Sequence, residues 1–146
     1  AALPRGIGVV RPADAVLSGL LAAVGLEVVE NDRAAHGLGT SIAAGVAAAP
    51  DADGWVIALG DMPWIRPDTI GAVAEALEAG ASIAAPCLDG IRGHPVGFSA
   101  RWRDALLALD SDVGARDLIA PGVLHLIPTR DPGVIRDIDR PSDLIT

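Results

Sequence analysis

The sequence predicts an α/β domain: a mostly parallel sheet flanked by helices, with one small antiparallel excursion. Three observations carry this. Short apolar runs alternate with longer stretches at helical spacing. The runs are apolar at nearly every position rather than at every second one, the pattern of strands covered on both faces. A single Asp89-Gly90 pair between two such runs marks a tight reversal.

Taken in order, Ile7 to Val10 is a short β-branched run, and Ala13 to Val24 reads as a helix ended by Gly25. Leu26 to Val29 is a second strand, followed by the polar turn Glu30-Asn31-Asp32-Arg33. Gly37-Leu38-Gly39-Thr40-Ser41 opens a small-residue helix that runs to about Ala49. Trp55 to Leu59 is the most hydrophobic strand and breaks at Gly60-Asp61-Met62-Pro63. Pro67-Asp68 starts a helix with apolar positions at Ile70, Val73, Ala74 and Leu77, and Gly80 ends it. Ser82 to Ala85 is a buried strand, Asp89-Gly90 a hairpin turn and Pro95 to Phe98 the returning strand. Ala100 to Leu109 is amphipathic and helical, and Val113 to Ile119 reads as a short helix with Asp112 as N-cap. Val123 to Ile127 and Val134 to Ile138 read as strands, and Pro141-Ser142-Asp143-Leu144 starts a last helical turn.

The chain has 146 residues, 51% of them hydrophobic and 21% charged, a composition that excludes a disordered chain and suffices for one core. The net charge of −8 argues against nucleic acid as a partner, and no apolar run is long enough to span a membrane. All basic residues are Arg. The single cysteine, Cys87, leaves no internal disulfide, and with no secretory signal in view the expected location is cytoplasmic.

Three segments carry residues suited to chemistry at a strand or helix end. In Leu59-Gly60-Asp61-Met62-Pro63, Gly60 permits a sharp turn and close ligand approach, and Asp61 is a hard oxygen ligand suited to Mg²⁺. The same residues also fit a plain turn with Asp61 bonded to its own backbone. Gly37, Gly39, Thr40 and Ser41 lie at a helix start, which makes an anion site, or a simple cap by Thr40 or Ser41. Asp137 and Asp139 fall on one face if their segment is a strand, and two carboxylates on one face call for a cation. The alternative is Asp139 or Ser142 capping the last turn with Asp137 solvated. His94, in Arg92-Gly93-His94-Pro95, either orients a substrate or caps a loop. His36 and His125 read as surface residues, and Cys87, Trp55, Trp64 and Trp102 as packing residues.

In sequence order these segments, with Ala44-Gly45-Val46, Val96-Gly97-Phe98, Gly114-Ala115-Arg116 and Asp137-Ile138-Asp139-Arg140-Pro141-Ser142-Asp143-Leu144, resemble the MobA-like NTP transferases. Within them the chain is most similar to the molybdenum cofactor cytidylyltransferase type. The resemblance implies a Rossmann-like nucleotidyltransferase fold and transfer of NMP from an NTP, CTP or GTP, to a phosphorylated small-molecule acceptor such as molybdopterin cofactor, releasing pyrophosphate. It implies Asp61, Asp139 and His94 as catalytic residues, and Mg²⁺ held by Asp61 with Asp137 or Asp139. It places Gly37, Gly39, Thr40, Ser41 and Gly60 near the nucleotide. A client molybdoenzyme is an implied partner, and the expected state is a monomer or small homo-oligomer. The family pattern opens with a strand and a Gly-rich loop ending in Arg and Lys, and nothing like it appears in this chain. The expectation is one nucleotidyltransferase domain over residues 1–146 without that strand and loop. The competing readings are a catalytically silent nucleotide- or cofactor-binding accessory protein, and a transferase for a sugar phosphate or phospholactate-type acceptor.

Overall fold

A computed structural model of the chain describes residues 3–120 and 122–145, with the side chain of Ile145 left out. Ala1, Ala2, Pro121 and Thr146 of the expected domain lie outside the described residues. The elements are β1 (Ile7–Val10), α1 (Ala15–Ala23), β2 (Glu27–Glu30), α2 (Leu38–Ala48), β3 (Gly54–Ile57), α3 (Pro67–Glu78), β4 (Ile83–Leu88), β5 (Ile91–Arg92), β6 (Val96–Ser99), α4 (Arg103–Leu107) and β7 (Leu124–Pro128). Single 3₁₀ turns fall at Ala34–His36, Ala100–Trp102, Arg116–Leu118, Pro132–Ile135 and Pro141–Ile145. The fold is α/β, and the chain divides into two compact units.

The first unit comprises Leu3–Asp53 and Ala100–Ala120. Its strands β1 and β2 pair in parallel, Ile7 opposite Glu27 through Val10 opposite Glu30. The Asp14 carboxylate accepts the Leu17 N–H at 3.1 Å and caps α1. In α2 the small residues permit close approach: a Cβ at Gly45 would stand 3.3 Å from Val9 Cγ2. The helix expected over Val113 to Ile119 is only the 3₁₀ turn Arg116–Leu118, and no side-chain cap starts it. Asp112 is instead fixed by its main chain, which packs against Gly37.

The second unit comprises Gly54–Ser99 and the described residues after 121. Strands run in the order β3-β6-β4, with β7 on the far edge of β4 and the short β5 continuing the β6 side. β3, β4 and β7 point the same way, while β6 is antiparallel to both β3 and β4. The expected antiparallel excursion is therefore threaded between parallel strands. Its turn has the form foreseen: Asp89 at φ 49° and Gly90 at φ 82°, the positive angles a tight hairpin needs. α3 starts at Pro67 with Asp68 in its first turn and ends at Gly80, φ 107°. It lies close over β6, because a Cβ at Gly97 would meet Val73 Cγ1 at 2.7 Å. Val73, Ile83, Ala84, Ala85, Phe98 and Val134 are buried and form this unit's core.

Val134 to Ile138 is not a strand. Pro132 and Gly133 turn the chain into the 3₁₀ turn Pro132–Ile135, and residues 136–138 continue without regular structure. Val134 is fully buried while Ile135 is 44% exposed.

Candidate active site

Strand register brings the candidate residues of the second unit to one rim of its sheet. Ile57 at the end of β3 pairs with Val96 at the start of β6. The chain leaving β3 through Leu59-Gly60-Asp61 and the chain entering β6 through Gly93-His94-Pro95 thus meet at that edge. β7 runs parallel to β4, so the stretch after Pro128 emerges there too. This is the rim at which open α/β sheets take ligands.

Asp61 lies within a turn closed by the Met62 N–H donating to the Leu59 carbonyl at 3.2 Å. Met62 is buried beneath it, and Asp61 itself is exposed. The Asp61 main-chain carbonyl accepts the Ile138 N–H at 2.7 Å, so the loop is held through its backbone and the carboxylate is left to face solvent. Gly60 is outside the left-handed region, and a Cβ placed there meets no heavy atom within 4 Å. The protein itself does not require glycine at this position. Gly60→Ala is therefore expected to shift stability by no more than about 1 kcal/mol. If substrate passes over this turn, the same change lowers kcat/KM roughly tenfold or more. Thermal melting beside steady-state kinetics checks both halves.

His94 is half-buried, and its main-chain N–H donates to the Val134 carbonyl at 2.8 Å. Burial, helped by the positive charge of Arg92, pushes the imidazole below the ordinary histidine range, and the Asp61 carboxylate pulls partly the other way. At neutral pH the imidazole is uncharged and offers one donor and one acceptor, so positive charge for a phosphate falls to the half-buried Arg92. Because the folded value lies below the unfolded one, the unfolded chain binds more protons between the two. The stability lost through His94 appears as pH falls below about 6.5 and is complete below the folded value. Asp61→Asn removes the opposing charge and is expected to lower the His94 pKa further, which an NMR titration of the imidazole reads directly.

The stretch from Asp131 to Ile138 ties these parts together. Asp131, 3% exposed, accepts the Arg66 N–H at 2.8 Å and the Thr69 hydroxyl at 2.7 Å through Oδ2, and the Gly133 N–H at 2.9 Å through Oδ1. Burial alone would raise this carboxyl. The bonds from Arg66, Thr69 and Gly133, with the Arg66 charge, outweigh burial and hold it below the usual carboxylate range. The Arg136 guanidinium stacks 3.6 Å from the Trp64 ring centroid. Sequence reading assigned Asp131 nothing. The available signal was Asp131-Pro132, an N-cap residue ahead of a proline.

Asp137 and Asp139 are both exposed, and without a strand the period-two argument for a shared face does not apply. The chain at Asp139 is fixed by Asp143, whose carboxylate accepts the Asp139 N–H at 3.0 Å and the Arg140 N–H at 2.9 Å. Asp143, rather than Asp139 or Ser142, thus anchors the final turn. Among the described residues no three His, Cys, Asp or Glu side chains form a ready metal cage.

In the first unit, Gly37 starts α2 at φ 113° with no side-chain cap, so neither Thr40 nor Ser41 caps it. A Cβ at Gly37 would strike the Asp112 main chain, and one at Gly39 would stand 2.5 Å from the Ser111 carbonyl oxygen. The Gly39 N–H donates to that carbonyl at 2.7 Å. Asn31 donates to Thr40 Oγ1 at 2.9 Å and to Ser41 Oγ at 3.0 Å, and Thr40 bonds back to the Gly37 carbonyl at 2.7 Å. The packing of residues 111 and 112 is by itself a reason for both glycines.

The architecture is that of the α/β nucleotidyltransferases. Over 97% of its length the chain superposes on manganese-bound Rv0371c of Mycobacterium tuberculosis, with TM-score 0.78, 25% identity and 76% of that chain covered. It superposes on a Methanothermobacter nucleotidyl transferase, Mth528, with TM-score 0.76, 22% identity, and 97% and 70% of the two chains covered. For molybdopterin-guanine dinucleotide biosynthesis protein A of Archaeoglobus fulgidus the figures are 0.62, 18%, and 94% and 74%. The two lower identities speak to the fold alone. Residues 1–127 match the MobA-like NTP transferase domain, and the chain belongs to that family. No curated protein matches the chain. Among the described residues no helix is long and apolar enough to cross a membrane.

Proposed function

We propose that the protein transfers a nucleoside monophosphate from an NTP to a phosphorylated small molecule, with a divalent cation at Asp61. The observation that carries this reading is the rim itself: an exposed carboxylate after β3, beside an uncharged His94 and the cationic Arg92. An Mg²⁺ that also binds phosphates takes one or two protein carboxylates rather than a full cage. Asp61 fits that donor set, with Asp137 or Asp139 as the second candidate, and the open space over Gly60 leaves room for the phosphates. The manganese in Rv0371c supports a divalent cation. When bound, the cation supplies charge neutralisation on phosphate oxygens.

An acceptor phosphate oxygen attacks the α-phosphorus, the bond from that phosphorus to its bridging oxygen breaks, and pyrophosphate leaves. The nucleophile is already ionised, so no general base is needed, and the protein's part is positioning and charge stabilisation. Arg92 faces the acceptor phosphate and His94 orients it by a neutral hydrogen bond. For the finer identity we propose the molybdopterin cofactor as acceptor and CTP or GTP as donor, with Mg²⁺ as the metal, on the motif resemblance. A molybdoenzyme would then be the client.

The test is pyrophosphate release by the full-length protein over a panel of NTPs and phosphorylated acceptors with Mg²⁺ or Mn²⁺. Release with one donor–acceptor pair is expected. Nucleotide binding without release from any pair would make the protein a silent carrier and overturn the reading.

A further inference from the structure

We infer that Asp131 is a positioning residue for Asp61, holding the 61–66 loop and the 132–138 stretch in one fixed relation at the sheet rim. The inference rests on the reading of Asp61 as the metal-binding carboxylate.

The Asp61 loop is secured at each end and in its middle by the same stretch. At its far end, Asp131 binds the Arg66 N–H and the Thr69 hydroxyl at the start of α3. In the middle, Gly133 lies so close to the Trp64 carbonyl that no Cβ fits, and Arg136 covers the Trp64 ring. At the near end, Ile138 donates to Asp61 itself at 2.7 Å. The same stretch holds His94 through the Val134 carbonyl, and Gly93 packs against Val134 with no room for a Cβ. Asp131 is the charged, buried origin of this stretch, and its three donors come from both partners it joins. A carboxylate is suited to the task because two oxygens accept from several donors at once. An amide cannot do the same: turned to accept from Arg66 and Thr69, it presents an NH₂ to the Gly133 N–H. The carboxylate touches no reacting atom. It acts by fixing the loop that carries one.

The experiment compares the full-length wild type, Asp131→Asn and the milder Thr69→Val, the latter keeping the carboxylate and removing one donor. Pyrophosphate release is measured against Mn²⁺ concentration, well below each melting temperature. A displacement of about 1 Å at a reacting site, caused by a change away from it, costs about 10–100-fold. Asp131→Asn is expected to lose kcat and raise the Mn²⁺ activation constant in that range, and Thr69→Val to move both the same way by less. A folded Asp131→Asn protein with wild-type kcat and wild-type Mn²⁺ activation, whatever its melting temperature, would overturn the inference.

A second readout needs no turnover. Amide hydrogen exchange is measured at Ile138, whose N–H donates to the Asp61 carbonyl at 2.7 Å, in the wild type and in Asp131→Asn. If Asp131 holds the loop, this amide exchanges about tenfold faster or more in Asp131→Asn. Unchanged protection contradicts the inference. If the wild type itself releases no pyrophosphate, the proposed function fails, and the exchange still decides whether Asp131 holds the loop.

Discussion

Asp61→Ala is expected to remove pyrophosphate release and leave the fold in place. The loop bearing Asp61 is anchored by the Asp61 main-chain carbonyl, the buried Met62 and the packing of Trp64, none of which needs the carboxylate. The side chain is exposed, so its removal costs stability within about 0.5 kcal/mol. The rate loss is set by a different quantity. A cation that neutralises phosphate oxygens contributes several kcal/mol to the transition state, so loss of its principal ligand costs about 10³-fold or more in kcat. Kinetics on an Asp61→Ala protein that melts at the wild-type temperature check this. A variant that melts normally and turns over normally refutes the role given to Asp61.

Gly133→Ala carries the largest expected change in stability. The added Cβ would fall against the Trp64 carbonyl group and within 2.8 Å of the Ile65 nitrogen, all main-chain atoms that no rotamer change can move aside. The turn at Pro132–Ile135 must therefore lift away from the Asp61 loop, loosening the Gly133 bond to Asp131 and the His94 bond to Val134. Overpacking of this kind costs about 3 kcal/mol, or about 10 °C in Tm for a chain of this size. Gly60→Ala is the matched control, since that position is open. Equal melting temperatures for the two variants would mean that the approach of Gly133 to Trp64 is not fixed in solution.

Local features were legible in the sequence. The start of α3 at Pro67 and the turn at Asp89-Gly90 depend on neighbouring residues and on φ preferences that single residue types declare, whereas β3 ends at Ile57, short of the break expected at Gly60. The insertion of β6 between β3 and β4 was not legible, because strand order is set by pairing across the chain rather than along it. Asp131 was missed for the same reason: its partners Arg66 and Thr69 lie 65 and 62 residues away. The 134–138 stretch was misread because Val134 is apolar for packing under Gly93, while Ile135 faces solvent, so the pattern mimics a strand without being one. The glycines of Gly37-Leu38-Gly39 show the converse limit. A glycine demanded by a neighbouring main chain, here residues 111 and 112, has the same sequence signature as one demanded by a phosphate.

In the proposed mechanism the cation and the triphosphate meet at the carboxylate of Asp61. This is tested most directly by a crystal structure of the full-length protein with Mn²⁺ and a non-hydrolysable NTP analogue, the metal located by its anomalous signal. A peak is expected at coordination distance from an Asp61 carboxylate oxygen and from the analogue's phosphates. A metal–nucleotide complex bound elsewhere, with Asp61 still in solvent, would contradict it.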